Sequence, residues 1–398
     1  MDRPGSPVTE PRKIRDTFLS FSPPLIGEEE IQEVIDTLRS EWITTGPKTR
    51  RFEQELAAFL GADAALAVSS ATHAMLVGLA AMGVAAGDEV ITTPLTFCST
   101  VHVIEQLGAK PILADVEPDT LTIDPEQVER AITPRTKVLL PVHLYGHACE
   151  MDSLLALARR HELRILEDAA HAIPTRYKGR MVGTLGDLTA FSFYATKNLT
   201  TAEGGALTGD AELVEQARIW SLHGMSRDAY RRYTAAGSWF YEVVLPGFKC
   251  NMTDIAAALG LGQLRKLPEF QKRRRRLVAL YGQGLADAPE IELPTEGPDV
   301  ESAWHLYPIR LNLATLTIDR ARFIEELKAR NIGASVHFIP VHLHPYYRDK
   351  YGYRPHDFPV AHANYHRLVS LPLNLRMSDA DATDVVSAVR DIVATYRR

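Results

Sequence analysis

Cysteine is the scarcest chemical signal in this chain. Its 398 residues include three, Cys98, Cys149 and Cys250, with no close pair to argue for a zinc site or a disulfide-stapled scaffold. Long apolar runs are missing as well. No stretch reaches transmembrane length, and the opening Met1-Asp2-Arg3-Pro4-Gly5-Ser6-Pro7 lacks the apolar core of a secretory signal. Charge of one sign is not in excess: a net charge of -6 gives no electrostatic case for nucleic acid or an anionic membrane. The local exception, Lys272-Arg273-Arg274-Arg275-Arg276, reads as a solvated helix face beside acidic neighbours. His337, His342 and His344 are closely spaced, but with no cysteine nearby and no helical carboxylate pattern, no metal is expected. Internal repeats and low-complexity tracts are absent too. A soluble, cytoplasmic globular protein is the expectation, 45% apolar and too long for one small core.

What the chain does have is alternation. The first dozen residues read as loose. Acids at Glu28, Glu29 and Glu30 favour the start of a helix running to about 39, and a second helix covers about 48–60. Strand patterns at 64–70, 88–93, 111–115, 137–142 and 163–167 then alternate with helices, one of them opened by Asp124 as cap and Pro125 just inside. Two further strands, 188–194 and 205–208, flank a turn. Such alternation predicts a mostly parallel sheet covered on both faces. Beyond the basic helix the texture changes. Strands at 304–311 and 332–338, with helices at 319–330 and 378–396, describe a smaller α+β unit. The expected division is 1–265 for a large domain with an N-terminal arm and 266–398 for a small one. The site belongs where they meet, beyond the carboxyl ends of the large sheet's strands.

Two segments carry the chemistry. Ile165-Leu166-Glu167-Asp168 ends an apolar strand on a carboxylate, with Glu167 turned to the opposite face from Asp168. Phe191-Ser192-Phe193-Tyr194-Ala195-Thr196-Lys197 brings an amine past the edge of another strand. A buried carboxylate and an amine whose pKa burial lowers suit a pyridinium cofactor: the acid holds the ring nitrogen and the lysine forms a Schiff base with the aldehyde. Pyridoxal 5'-phosphate (PLP) is that cofactor. Taken singly, Lys197 also reads as a surface lysine and Asp168 as a turn or capping aspartate. Ser70-Ala71-Thr72 precedes a helix whose free N–H groups favour an anion, equally the pattern of a plain N-cap, and Ser192 is a second hydroxyl for a phosphate. Phe97 follows a strand, placed either to stack on a ring or to fill the core. His171 is placed either to contact the cofactor's phenolic oxygen or to serve as a structural histidine.

Taken together, these motifs resemble the DegT/DnrJ/EryC1/StrS group of PLP-dependent sugar-nucleotide aminotransferases, of fold type I. The resemblance runs from about Pro23 nearly to the C-terminus. It is carried by Ser69-Ser70-Ala71-Thr72, Gly87-Asp88-Glu89-Val90-Ile91, Pro141-Val142-His143-Leu144-Tyr145-Gly146, Glu167-Asp168-Ala169-Ala170-His171, the run ending Lys197-Asn198, and Pro246 to Asp254. It implies Lys197 as the Schiff-base lysine and Asp168 as the ring-nitrogen partner. It further implies Ala71, Thr72 and Ser192 as phosphate ligands, Phe97 as the stacking ring, and His171 where many members carry glutamine. Asn251 resembles the residue that reaches the cofactor of the neighbouring subunit, which implies a homodimer with shared sites. Relatives with histidine in place of the lysine are dehydratases or isomerase-like enzymes, and Lys197 argues against those. The implied reaction takes an amino group from L-glutamate, passes through pyridoxamine phosphate (PMP), and delivers it to a keto group. His223-Gly224-Met225-Ser226 and Trp239-Phe240-Tyr241-Glu242-Val243 look most like the branch acting at C4. The expected acceptor is dTDP-4-keto-6-deoxy-D-glucose, with UDP-4-keto-L-arabinose the alternative. A C3-keto sugar nucleotide or scyllo-inosose aminotransferase, a PLP aldolase or decarboxylase, and a non-enzymatic PLP-fold regulator are the remaining readings.

Overall fold

The computed structural model of the chain describes residues 14–225 and 240–398. The expected loose N-terminus, and the ends of two substrate-branch motifs at Ser226 and Trp239, lie outside the described residues. Seven strands form the main sheet: β1 (Ala64–Val68), β2 (Glu89–Thr92), β3 (Lys110–Leu113), β4 (Thr136–Leu139), β5 (Arg164–Asp168), β8 (Leu188–Ser192) and β9 (Gly205–Gly209). A short hairpin, β6 (Arg176–Tyr177) and β7 (Arg180–Met181), interrupts them. Their order is β1-β9-β8-β5-β4-β2-β3. All pairings are parallel except those of β9, which runs against both β1 and β8. Helices cover both faces, as a parallel sheet requires.

Helices α1 (Glu28–Arg39) and α2 (Pro47–Leu60) precede the sheet, and α3 (Ala71–Ala81), α4 (Ser99–Gln106), α5 (Pro125–Ala131), α6 (Met151–His161) and α7 (Ala211–Ser221) are threaded through it. Helix α3 has no polar face, because it lies between the sheet and α7, where Met75, Leu76 and Leu79 join one core. Asp124 caps α5 by accepting the Glu126 N–H at 2.8 Å.

Helix α8 (Asp254–Leu285) passes through the expected boundary at 265/266 without a break. Its first half packs Leu261, Leu264 and Leu267 into the large core; its second half sends Leu277, Tyr281 and Leu285 into a separate core. That second core also takes in Ile14 and Leu19 of the N-terminal arm. The small sheet is β10 (Ile291–Glu292), β12 (Tyr307–Leu311) and β13 (Leu368–Leu371), while β11 (Val300–Glu301) pairs with β6. Helices α9 (Arg320–Ala329), α10 (Pro345–Tyr351), α11 (Pro359–Tyr365) and α12 (Asp379–Tyr396) complete the unit.

Two expectations change. The segment 332–338 is not a strand. It makes single bridges, Ile332 to Leu19 and Ser335 to Ser370, because the chain leaves the sheet here to carry His337 and Phe338 toward the domain junction. The basic run is not wholly solvated. Arg273 and Arg276 pair with Asp379 at 2.5 and 3.1 Å, and Arg275 pairs with Glu296 at 3.2 Å. Arg274, however, is 2% exposed, because it shares the buried face of α8 with Phe270 and Leu277. No helix among the described residues is long and apolar enough to cross a membrane.

Candidate active site

Beyond the carboxyl ends of β1, β5 and β8 lies a cavity of about 490 Å³, lined from both domains. Strand β5 delivers Asp168 into it and turns Glu167 the other way. Glu167 accepts from His143 Nε2 at 2.7 Å, Thr189 Oγ1 at 2.8 Å and the Gly186 N–H at 2.8 Å. His143 Nδ1 accepts the Cys149 N–H at 3.0 Å, so the proton of this imidazole lies on Nε2 and is donated to Glu167. On the cavity side, Asp168 Oδ2 accepts from Thr100 Oγ1 at 2.8 Å, and Oδ1 accepts the Ala170 N–H at 3.1 Å. Burial raises the Asp168 carboxyl above the ordinary range; Thr100, the Ala170 N–H and the Lys197 ammonium oppose it.

Lys197 closes the turn after β8, its N–H bonded to the Tyr194 carbonyl at 2.9 Å. Burial lowers its ammonium to about 8, against the pull of Asp168. An amine so tuned is partly neutral near physiological pH, as attack on an aldehyde demands.

At the other end of the cavity, α3 begins. Ser70 Oγ accepts the His73 N–H at 3.1 Å, which leaves the N–H groups of Ala71 and Thr72 without helical acceptors. The first residue of β9 presses on this junction: a Cβ on Gly205 would lie 2.4 Å from the Ser70 carbonyl carbon and 2.5 Å from Ala71 N. Glycine is therefore required for the strand to come this close. Ser192 pairs with Gly205 across β8 and β9 and lines the same space. Free N–H groups, a hydroxyl and the positive end of a helix could together hold a phosphate.

The remaining walls are aromatic. Phe97 is 57% exposed, which rules out the core reading, and its ring centroid is 5.8 Å from Phe338. His171 also reaches Phe338, at 5.8 Å. Burial, and then Lys197 and His337, hold the His171 imidazole well below its usual pKa. Burial and Lys197 push His337 down to about 4; its ring stacks on Phe21 at 5.4 Å. Ser22 Oγ donates to the Thr196 carbonyl at 3.2 Å, so the N-terminal arm touches the loop of Lys197.

The DegT/DnrJ/EryC1/StrS aminotransferase family profile matches residues 24–390. The chain belongs to this family. It is 53% identical over 381 residues to the spore coat polysaccharide biosynthesis protein SpsC of Bacillus subtilis, covering 95% of this chain and 98% of SpsC. The putative sugar aminotransferase Spr1654 of Streptococcus pneumoniae, solved in PLP and PMP forms, superposes with a TM-score of 0.89 at 36% identity, over 95% of this chain and 99% of that one. Helicobacter pylori PseC, an aminotransferase of pseudoaminic acid biosynthesis, superposes with a TM-score of 0.89 at 29% identity, over 96% and 100%.

This family member is a PLP-dependent sugar-nucleotide aminotransferase of fold type I, its cofactor passing between PLP and PMP. The donor set of the cavity fits that group: a cradle for a phosphate, a buried carboxylate for a ring nitrogen, and an amine of lowered pKa for an aldehyde. Of the residues singled out from sequence, Ala71, Thr72, Phe97, Asp168, His171, Ser192 and Lys197 all line this one cavity. Asn251 does not. It lines another concavity of about 470 Å³ with Arg50, Glu53 and Arg218, bridges to Val68 and donates its amide to Thr45 Oγ1. Sequence reasoning missed His305, His337 and Phe338 in the wall, and Thr100 behind it, bonded to Asp168. Thr100 lies one helical turn past the Thr96-Phe97 loop and carries no local signal. His337 and Phe338 were read as strand residues. Among the described residues no group of three or more His, Cys, Asp or Glu could hold a metal ion.

Proposed function

We propose that the enzyme transfers the amino group of L-glutamate to the C4 keto group of a nucleotide-linked 4-keto sugar, dTDP-4-keto-6-deoxy-D-glucose being the first substrate to test. The observation that carries the chemistry is the presence of Asp168, Lys197 and the start of α3 in one cavity. Asp168 takes the ring nitrogen of PLP, and the N–H groups of Ala71 and Thr72, with Ser192, take its phosphate. Phe97 covers a ring face, and His171 donates to the phenolic oxygen. Bound there, PLP supplies an electron sink conjugated to the carbon that loses its proton.

Lys197 does the proton work. Its Nζ would hold the cofactor's aldehyde carbon between turnovers and become free once the donor amine took its place. Once free, the amine would take the α-proton of glutamate and pass it to the cofactor's former aldehyde carbon on the same face, which leaves the amino group on the cofactor. In the second half-reaction it runs the same transfers in reverse on the sugar carbon. One amine suffices because both transfers lie within its reach on one side. Thr100 and the Ala170 N–H hold the Asp168 carboxylate in place throughout. Leu306, Phe338 and Phe21 from the small domain and the arm keep water from the reacting atoms.

The active unit is a homodimer in this reading. Asn251 lies outside the Lys197 cavity of its own chain, and its role is at the neighbouring subunit's phosphate. The residue ranges 1–265 and 266–398 remain the working division, with α8 as the shared element. SpsC serves spore coat polysaccharide biosynthesis and PseC the biosynthesis of pseudoaminic acid, and both are consistent with an amino sugar product.

The test starts from the PMP form, made with glutamate, to which dTDP-4-keto-6-deoxy-D-glucose or UDP-4-keto-L-arabinose is added. Return of the absorbance of the lysine-bound cofactor with the dTDP sugar, and a 4-amino product by NMR, supports the proposal. Return with the UDP sugar alone changes the nucleotide. No return with either, after glutamate has converted the cofactor, overturns the C4 assignment.

A further inference from the structure

His305 lines the Lys197 cavity, is 4% exposed, and has no part in the chemistry above. Three sets of contacts fix it. The first is the Tyr145 peptide, whose N–H donates to His171 Nδ1 at 3.3 Å while its carbonyl accepts the His305 N–H at 2.9 Å. Gly146, at φ 98, lets the two histidine segments close on this turn. A Cβ there would lie 2.9 Å from Trp304 N and 3.1 Å from both the His171 oxygen and His305 N. The imidazole centroids end 4.4 Å apart.

The second contact is Asn198, the residue after Lys197. Its Nδ2 donates to the Ile173 and Ala303 carbonyls at 3.2 and 2.8 Å, so its Oδ1 is the atom facing His305 Nδ1 at 3.1 Å. An amide oxygen only accepts. His305 is therefore protonated on Nδ1 and bare on Nε2. At His171 the order is reversed: Nδ1 accepts the Tyr145 N–H, so the proton is on Nε2. The third contact is Arg274, whose Nη1 donates to the Trp304, His305 and Leu373 carbonyls at 3.3, 3.4 and 3.1 Å. A buried arginine bonded to carbonyls is costly, and what this one holds in place is the backbone of His305.

We propose that His305 is a positioning residue: locked by Asn198 and Arg274, it braces His171 as a neutral imidazole with its proton on Nε2. The charged and titratable groups around the pair are Lys197, His337, Asp168 and, for His305, Arg274. Burial comes first and the cationic neighbours second in keeping both rings far below the usual histidine range. His171 thus presents its Nε2–H, its Nδ1 being taken by the Tyr145 N–H. Only the acceptor of that N–H, the phenolic oxygen of PLP, rests on the function proposed above.

The test uses the cofactor-free chain with nitrogen-15-labelled histidine, as wild type, His305→Ala and His305→Phe. In the wild type His171 should show a single Nε2–H tautomer and His305 a single Nδ1–H tautomer, neither titrating between about pH 5.5 and 8. In His305→Ala, His171 should exchange between tautomers, while burial, Lys197 and His337 still hold its pKa below the ordinary range. His305→Phe refills the volume without the Asn198 bond, and the tautomer mixture should persist. With PLP bound, the Phe variant should move the midpoint of the cofactor's pH-dependent absorbance by about half a unit. Wild-type His171 behaviour in His305→Phe would reduce His305 to space-filling and overturn the proposal. So would an Nε2–H tautomer at His305 in the wild type, or an unmoved absorbance midpoint in the Phe variant. Failure of the wild type to bind PLP would sink the proposed function and leave the histidine measurements valid.

Discussion

Replacing Asp168 by asparagine separates charge from shape. The carboxylate accepts two hydrogen bonds, from Thr100 Oγ1 at 2.8 Å and the Ala170 N–H at 3.1 Å. Asparagine can keep its oxygen toward Ala170 and turn its NH2 toward Thr100. The Thr100 hydroxyl then swings its proton to the Phe97 carbonyl, 3.1 Å away, and accepts from the amide. Nearly every bond is recovered, and a net hydrogen bond is worth only about 1 kcal/mol. Removing a carboxylate that burial disfavours offsets part of that, so unfolding free energy should change by no more than about 1 kcal/mol. Turnover should not be so forgiving. The ring nitrogen loses the negative charge that keeps it protonated, and loss of a group matched to developing charge costs about 10²- to 10³-fold. The assay is the single-turnover rate of cofactor conversion by glutamate, run beside denaturant unfolding and PLP binding. A variant that binds PLP and reacts within about tenfold of wild type would refute the role given to Asp168. A stability loss beyond about 3 kcal/mol would show that the residue acts mainly on the fold.

Three further outcomes are expected. Lys197→Met should abolish turnover and stabilise the cofactor-free protein at pH 7. Below about 8 the wild-type fold bears the full cost of a buried ammonium lowered from 10.5 to about 8. Between those values the folded lysine is neutral while the unfolded one is still charged, so the cost fades with rising pH. The variant's advantage, roughly 3 kcal/mol with the pull of Asp168 already included, should shrink toward pH 10.5; a gap independent of pH would contradict the assignment. Gly205→Ala drives a methyl into the Ser70 and Ala71 backbone and should cost about 1–3 kcal/mol together with most of the PLP affinity; wild-type affinity by fluorescence titration would remove Gly205 from the cradle. Under the proposed shared-site dimer, mixed dimers of Lys197→Ala and Asn251→Ala should regain one working site; no gain over the parent variants would place Asn251 in its own chain's site.

The parts of the site that were legible in sequence are those where one residue type has one physical reason to stand at a strand end. Asp168 follows a buried apolar strand, Lys197 a turn after another, and Ser70 caps a helix, so each could be placed without knowing its neighbours. Helices with local stop and start signals, such as the one capped by Asp124, were equally readable. Thr100, His305 and Arg274 were not. Thr100 matters because α4 turns it onto Asp168, and His305 because the Tyr145–Gly146 turn carries it to His171. Arg274 looked like four other bases in its run until α8 packed that face against the small domain. The reading of 332–338 as a strand failed for a related reason. Its apolar alternation is real, but the arm residue Leu19 and Ser370 supply isolated bridges in place of a ladder.

The placement of β9 also has a consequence for the order of assembly. Among the described residues the strand beside β1 in the main sheet is β9, and Val68 meets Gly205 there and Asn251, made later still, on its other edge. The start of α3, made early in synthesis, thus stands beside an unpaired strand edge until the chain is made through Gly209. Non-local pairings of this kind close slowly and leave edges open meanwhile. A ribosome-bound chain can therefore complete its phosphate cradle only after Lys197 has already emerged, so capture of the cofactor belongs to a late stage of folding and cannot template the early sheet.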